Sequence, residues 1–596
     1  MTEIFDCEVY VDYFLVAFRD VDSGDVTTYE QWPDQSLDVK ALRKHMQRGR
    51  IISFNGKRFD APLIAYAIAG ATCAEIKAAA NDIISNNLQP WQFEQRYPCK
   101  IDPELDHVDL FDVAPGMASL KIYAGRMHSI KLQDLPIAFD ANISPEQREV
   151  LKDYCVNGDT VATLDLLRTL GPQIELRERM TKVYGIDLRS KSDAQIAESV
   201  IKSQVGKLVN RKVERPIIPP GTQFNYKPPA FVRFDYPALQ HALDVVTSVP
   251  FVVLRNGSVQ MPKEIKDLKI AVGGSVYQMG IGGLHSTESC VAHIADDDTL
   301  LVDRDVTSYY PSIILNCNLT PNHLGRPFLD VYRNLVDKRL AAKRAGDKVT
   351  ADALKITING TFGKLGSMWS ALYSPDLLIR TTLTGQLALL MLIEQLEALG
   401  VSVVSANTDG VVIKCPRSHE IAMDAAIVVW ESATGFETEE TRYRALYSRD
   451  VNNYIAVKPD GGCKAKGAYA TPGLQKNPAN EICNIAVGRF LAHGTPIEQT
   501  INGCDDIRKF VTLRQVNGGC IDQCGEFLGR AARWYYSTIV RDVLRYKTNG
   551  YTVARSEGAM PLMMLPDSIP PDLDLAWYVS EAQSILADIG YRKATQ

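Results

Sequence analysis

The chain has 596 residues, 46% of them apolar and 23% charged, with a formal net charge of −6. Those proportions are ordinary for a globular protein of about three to five domains. The acidic balance excludes a protein coated in positive charge, so any path for a polyanion must come from local basic clusters. No apolar run reads as long enough to span a membrane. No signal peptide is expected, because the first chemically interesting side chain is already residue 6. The twelve cysteines form no C-x-x-C pair and read as reduced thiols. The loose group Cys504, Cys520 and Cys524 lacks zinc-ligand spacing.

Residues 1 to about 190 alternate strand-like and helix-like runs. In the first, IFDCEVY, Asp6 and Glu8 point to one face. A second strand, RIIS, leads into Phe54-Asn55-Gly56-Lys57-Arg58-Phe59-Asp60. A later helical stretch carries Tyr154-Cys155-Val156-Asn157-Gly158-Asp159. On a regular helix Tyr154 would stand about 100° away from a position aligned with Asp159. A one-residue bulge would bring it back; otherwise Cys155 holds that place. Residues 215–237 contain six prolines and read as a linker. Met279-Gly280-Ile281-Gly282-Gly283 follows as a glycine-rich loop.

Residues 299–306 (TLLVDRDV) read as a strand ending at Asp305. The Ser-Tyr-Tyr-Pro-Ser that follows turns the chain into a helix and leaves free backbone N–H groups there. Residues 326–364 hold nine Lys/Arg against four Asp/Glu, a local charge of 9 − 4 = +5. Within that run Arg339 and Lys343 are four apart, as are Lys355 and Asn359, so each pair shares a helix face. A strongly apolar helix over 378–399 meets a C-cap at Gly400. Residues 401–405 and 411–415 are β-rich runs joined by a tight Asn407-Thr408-Asp409-Gly410 turn, a hairpin signal. If these elements are neighbours in one sheet, Asp305 and Asp409 meet at its edge. Two such carboxylates repel unless cations lie between them. They suit two Mg²⁺ ions about 4 Å apart, the arrangement that drives in-line phosphoryl transfer. Lys464-Ala465-Lys466-Gly467 puts two lysines beside a glycine turn, which is equally the pattern of ordinary surface.

Together these blocks resemble the family B DNA polymerases. Asp305-Val306-Thr307-Ser308-Tyr309-Tyr310-Pro311-Ser312-Ile313-Ile314 is similar to D-x-x-S-L-Y-P-S-I-I, with Tyr309 for Leu. Ala406 to Gly410 resembles Y-x-D-T-D-S, with Asn407 in place of the first Asp. Lys355 to Gly363 resembles K-x-x-x-N-S-x-Y-G, with Gly360 for Ser and Phe362 for Tyr. The resemblance implies that Asp305, Asp409 and the Val306 carbonyl hold two metals. It implies that Ser308, Tyr309, Tyr310, Arg339, Lys343, Lys355 and Asn359 bind the incoming nucleotide, with Tyr310 as a steric gate against ribose. Lys464 and Lys466 would grip the primer, and Gly282 and Gly283 would belong to a Y-x-G-G loop that contacts DNA. The N-terminal blocks look like the D-x-E, N-x-x-x-F-D and Y-x-x-x-D motifs of proofreading exonucleases. That implies two more metals on Asp6, Glu8, Asp60 and Asp159, with Tyr154 orienting water. Asn55, Phe59, Ser119 and Leu120 would touch single-stranded DNA, and Lys131 would be the exonuclease lysine. Ser119, Leu120 and Lys131 fit a surface loop equally well.

The fold implied is multidomain α/β and α+β. An RNase H-like exonuclease would cover 1–190, with a linker and N-terminal part of the polymerase region over 191–298. A palm would cover 299–325 and 366–475, fingers 326–365 and a thumb 476–596. The function implied is template-directed DNA synthesis with 3′→5′ proofreading in phage replication, using Mg²⁺ or Mn²⁺, two per active site. Primer-template DNA and dNTPs would be the partners of a monomer in the host cytoplasm, off the membrane, beside helicase, single-strand-binding or processivity proteins. Asp305 to Lys355 and Asn359 to Asp409 each span 50 residues. That leaves no room for an inserted docking domain, so a nucleic-acid primer is expected rather than a protein hydroxyl. Two other readings stay open: a nuclease whose polymerase half only binds DNA, and a non-catalytic DNA-binding subunit.

Overall fold

The computed structural model of the protein describes residues 1–132, 134–135 and 137–591. The chain divides into two compact units. The first comprises Met1–Ser192, Pro472–Ile482 and Gly503–Trp577, and the second takes the rest.

The first unit is built on a five-stranded sheet. Its order is Val26–Gln31, Phe14–Asp20, Thr2–Val9, Arg50–Ser53, His107–Asp109. The first two pairings are antiparallel and the last two parallel. Thr2–Val9 is central, with Phe5 and Cys7 in one apolar cluster. Cys155, Tyr13 and Leu15 belong to another. A second sheet, of four strands, is centred on Thr512–Ile521 and Phe527–Tyr536. Here the structure corrects the expectation of one continuous thumb. Residues 503–577 join the first unit, whereas 483–502 and the described residues from 578 onward join the second. The physical reason is local to Arg533, whose side chain is fully buried. It donates to the carbonyls of Leu562 (2.8 Å), Ser129 (2.8 Å) and Ile130 (3.0 Å). Leu132 N–H donates to Met563 O and Leu565 N–H to Ile130 O, extending the pairing. A buried guanidinium stays charged only where its donors are met. Arg533 thus ties the segment 129–132 to the C-terminal sheet.

The second unit carries a seven-stranded antiparallel sheet. Its order is Thr438–Tyr443, Thr299–Val306, Gly410–Pro416, Ser402–Asn407, Leu284–Ser286, Ser275–Met279, Ile270–Val272. The last three strands come from the stretch expected as linker and N-terminal region. Part of the proline-rich segment also pairs, Gln223–Asn225 against Pro250–Val253. Helix Pro375–Ala398 packs in the core of this unit. It is long and apolar enough to cross a membrane, but 83% of its most apolar window is buried in the protein. This corrects the reading that no run is long enough; the apolar length serves the core. Gly400, at φ 75°, ends this helix in the left-handed conformation that glycine adopts without cost. Trp430, on helix Glu420–Thr434, is fully buried and donates Nε1–H to Ala388 O at 2.7 Å.

Two long helices, Arg326–Arg344 and Lys348–Lys364, occupy the expected fingers segment. A third, Asp193–Val209, lies against the latter. Gly360 lies at their contact: a Cβ there would stand 2.8 Å from Ala197 Cβ and 2.9 Å from Asp193 O. That close approach explains why a glycine replaces the serine of the resembled motif. Gly360→Val should force the helices apart and cost about 1–3 kcal/mol. The measurement is the denaturant midpoint of the whole chain; an unchanged midpoint would refute the close packing.

Candidate active sites

In the first unit, Asp6 and Glu8 lie on the central strand and Asp60 opens helix Asp60–Ile68. Asp60 accepts from Cys7 N–H (3.3 Å) and from the Cys7 thiol (2.9 Å). The loop before it is shaped by Asp109, which sequence reasoning missed. Its carboxylate accepts from the N–H groups of Asn55 (2.8 Å), Lys57 (2.9 Å) and Phe111 (3.0 Å). Asn55 sits at φ 66°, a conformation Asn tolerates better than most residues. Phe59 is the residue before the helix and is half-buried.

The fourth carboxylate arrives through an irregular helix. Pro145–Tyr154 runs into a π-helical turn, Cys155–Asp159, before α-helix resumes at Thr160. The extra residue of the sequence is absorbed there, as a one-residue bulge would do. Tyr154 therefore stays near the acids, its hydroxyl 3.4 Å from Asp134 Oδ1. Lys121 Nζ pairs with Asp159 at 3.0 Å and lies 4.3 Å from the centre of the Tyr154 ring. This corrects the lysine assignment. Lys131 is exposed and 3.8 Å from Asp153, away from the cluster, while Lys121 is inside it. Lys121 stands two residues after Ser119, but its sequence context alone does not show that it meets Asp159. Ser119 itself caps helix Leu120–Arg126 by accepting from Ile122 N–H, and Leu120 is half-buried.

Burial and mutual repulsion govern these acids. Asp6 is held well above the usual carboxylate range by burial, then by Asp60, Asp159 and Glu8. Burial and Asp159 push Glu8 up to about 8, with Lys121 opposing. Burial pushes Asp60 up to about 6. Asp159 is raised by burial against the pull of Lys121. One ammonium does not balance four clustered carboxylates, so the donor set fits divalent cations.

In the second unit, strand register builds the other site. Asp305 stands opposite Gly410 on one side and Glu439 on the other. Val306 N–H donates to Asp409 O at 2.7 Å, which fixes the Thr408-Asp409 turn beside the end of the Asp305 strand. A Cβ on Gly410 would fall 2.2 Å from Asp305 Oδ1, so only glycine leaves that carboxylate its place. Asp305, Asp409 and Glu439 line a cavity of about 450 Å³ together with Val306, Ser308, Tyr309, Tyr310, Arg339, Lys343, Lys355, Asn359 and Phe362. Glu439 was not foreseen; only the pairing of Thr438–Tyr443 places it there. Asp305 is raised by burial and by Asp303, with Lys464 opposing; Asp409 is raised by burial, with Lys466 opposing. Opposed acids at a polar cavity again fit divalent cations.

The residues expected to bind the nucleotide all line this cavity. Ser308 adopts φ 50° before helix Tyr309–Asn316, and its Oγ accepts from Arg339 Nη1 at 2.9 Å. Tyr310 stacks on Phe362 with ring centres 4.1 Å apart and donates its hydroxyl to Gly282 O. Tyr309 is the most buried of these residues. It reaches the wall of the cavity, but its ring is buried and its hydroxyl donates to Gly385 O. The glycine loop lies against this site. Gln386 brackets Gly280 with two hydrogen bonds, and a Cβ on Gly283 would be 2.9 Å from Thr408 Cα. Asn407 donates Nδ2–H to Val451 O at 2.8 Å, a bond an ionised Asp cannot make. Lys464 pairs with Asp303 at 3.1 Å and Asp305 at 3.7 Å. Lys466 Nζ lies 5.9 Å from the Tyr454 ring centre.

A carboxylate whose folded pKa is raised stabilises the fold while protonated. That contribution is complete below its ordinary value and is lost as pH rises through the raised one. For Glu8 the window runs from 4.5 to about 8. In chelator, thermal stability should therefore fall across that window, less steeply in Glu8→Gln, and Mg²⁺ should restore it. A Glu8→Gln variant with the same slope as the native protein would remove Glu8 from this account.

No family model matches the chain. Over 165 residues it is 26% identical to the DNA polymerase 1 of Sulfurisphaera ohwakuensis, and over 141 residues 27% identical to that of Sulfolobus acidocaldarius. These stretches cover 27% and 23% of this chain but only 18% and 16% of the relatives. Among solved structures, a family B DNA polymerase from the hyperthermophilic archaeon Pyrobaculum calidifontis aligns with 100% of this chain and 78% of that one, at 15% identity and a TM-score of 0.42. By these sequence matches and by its own motifs, the chain is similar to DNA polymerases and resembles those of family B.

Proposed function

We propose that the chain is a template-directed DNA polymerase with a 3′→5′ proofreading exonuclease. One observation carries the reading: Asp305, Asp409, Arg339, Lys343 and Lys355 come from separate segments and meet at one cavity. Two acids and three cations lining one cavity suit a nucleoside triphosphate next to a primer end. Asp305, Asp409 and the Val306 carbonyl would hold the divalent cations, which when bound supply Lewis acidity toward the primer hydroxyl and the phosphates. Arg339, Lys343 and Lys355 offset the triphosphate charge. Ser308, held by Arg339, keeps the start of the following helix open to it. Tyr310, braced by Phe362 and Gly282 O, forms a rigid wall for the sugar.

The central strand with parallel neighbours on one side and antiparallel ones on the other supports an RNase H-like exonuclease. Asp6, Glu8, Asp60 and Asp159 would hold its cations, with Lys121 and Tyr154 beside them. The antiparallel sheet under the cavity supports a palm, and the two helices over 326–364 supply fingers. Between Asp305 and Lys355 the described elements are helix Tyr309–Asn316, helix Arg326–Arg344 and the start of Lys348–Lys364. That economy favours extension from a nucleic-acid 3′ end.

Primer extension with Mg²⁺ and four dNTPs, run beside a 3′-mismatched primer, tests both halves. Asp305→Ala or Asp409→Ala should lower extension by at least about a hundredfold and leave single-strand trimming intact. The Asp6→Ala, Glu8→Ala double variant should extend normally and leave mismatched ends in place. Extension that survives loss of Asp305 would refute the assignment. Tyr310→Val should raise ribonucleotide incorporation relative to dNTPs by about tenfold, a difference of about 1.4 kcal/mol. An unchanged ratio would remove Tyr310 as the gate.

A further inference from the structure

The π-helical turn does more than bring Tyr154 back. It also turns Cys155 toward the acids: its Sγ and one oxygen each of Asp6 and Glu8 all lie within 4.8 Å of one another. The Cys155 side chain is fully buried. Its thiol makes no hydrogen bond among the described residues, whereas the thiol on the central strand, Cys7, is engaged by Asp60. Two carboxylates from one strand face and a buried thiol from the bulge form a mixed oxygen and sulfur donor set. Mg²⁺ takes oxygen ligands in octahedral geometry and has no use for sulfur. Zn²⁺ accepts carboxylate at about 2.0–2.2 Å and thiolate at about 2.3 Å, so inward shifts of about 1 Å would close the three donors on one ion. The softer donor selects the softer cation.

We propose that Asp6, Glu8 and Cys155 form a thiolate-containing site that takes Zn²⁺ in preference to Mg²⁺. As the metal–sulfur bond forms, the Cys155 thiol proton leaves to bulk water. Zn²⁺ held there displaces the cation that trimming needs, so it silences the exonuclease and spares extension. This consequence rests on the proofreading reading; the binding itself rests on the geometry alone.

The test uses the full chain, stripped of metal and kept reduced with a phosphine. Co²⁺ serves as the probe, because cobalt bound to thiolate shows a near-ultraviolet charge-transfer band that cobalt bound only to oxygen lacks. The native protein should show the band and lose it to one equivalent of Zn²⁺. Cys155→Ser should abolish it, and so should Asp6→Asn with Glu8→Gln, which leaves the thiol in place. Replacing the exposed Cys290, Cys463 and Cys524 by Ser should leave it intact. Absence of the band in the native protein, or its survival in Cys155→Ser, overturns the proposal; if that variant fails to fold, the carboxylate pair decides in the same way. In trimming assays with Mg²⁺, Cys155→Ser should need at least about tenfold more Zn²⁺ for inhibition than the native protein. If neither protein trims in Mg²⁺ alone, the proofreading reading falls, and the cobalt band still decides the metal site.

Discussion

Strand Thr299–Val306 is paired along both edges, and its register decides what surrounds Asp305. Gly410 stands on one side and Glu439 on the other. Because side chains alternate strictly along a strand, a slip of one residue would turn Asp305 away and bring a neighbour into its place. The register is held from several directions. Val302 is fully buried in the core beneath, and the Val306 N–H is committed to Asp409 O. Gly410 admits the Asp305 carboxylate where any side chain would collide with it. The fingers cations are brought to the same cavity by helix packing, which itself depends on Gly360 lying against Ala197.

Charge is handled differently at the two acid clusters. Around Asp305, Lys464 already answers Asp303 and Asp305, and Tyr443 donates to Asp303, so part of the repulsion is met inside the protein. Around Asp6 the answering cation is Lys121, paired with Asp159. The acids are more deeply buried there, and their protonation is pushed further from the ordinary range. Asn407 belongs to this balance. It gives up a negative charge beside Asp409 and uses the gained N–H to hold the turn to Val451 O. The substitution that weakens the resemblance to family B thus has a structural use.

The chain visits its two compact units more than once. After Thr471 it returns to the first unit for eleven residues, enters the second for 483–502, and goes back for 503–577. Contacts of this kind join residues some four hundred positions apart, as Arg533 does with Ser129 and Ile130. Nothing in the local pattern of residues 503–577 announces such partners, which is why a single C-terminal thumb was the natural expectation.

Much of the site was legible in the sequence because strand-ending aspartates, four-residue helix spacings and a four-residue hairpin turn are local features. Asp305 and Asp409 and the helix-face cations Arg339, Lys343 and Lys355 were chosen on those grounds, whereas the set Asp6, Glu8, Asp60 and Asp159 came from the resemblance to exonuclease motifs; the structure brings each set together. The extra residue between Tyr154 and Asp159 was also visible, but not whether a bulge or Cys155 would fill the gap; the fold uses the bulge and keeps both side chains near the acids. Only the tertiary structure could replace Lys131 by Lys121, add Glu439 and Asp109, and turn the Tyr309 ring into the core. Each of these depends on which surface an element presents to a partner distant in sequence. Local periodicity sets the faces of a strand or helix, whereas strand register, helix packing and burial decide what those faces meet.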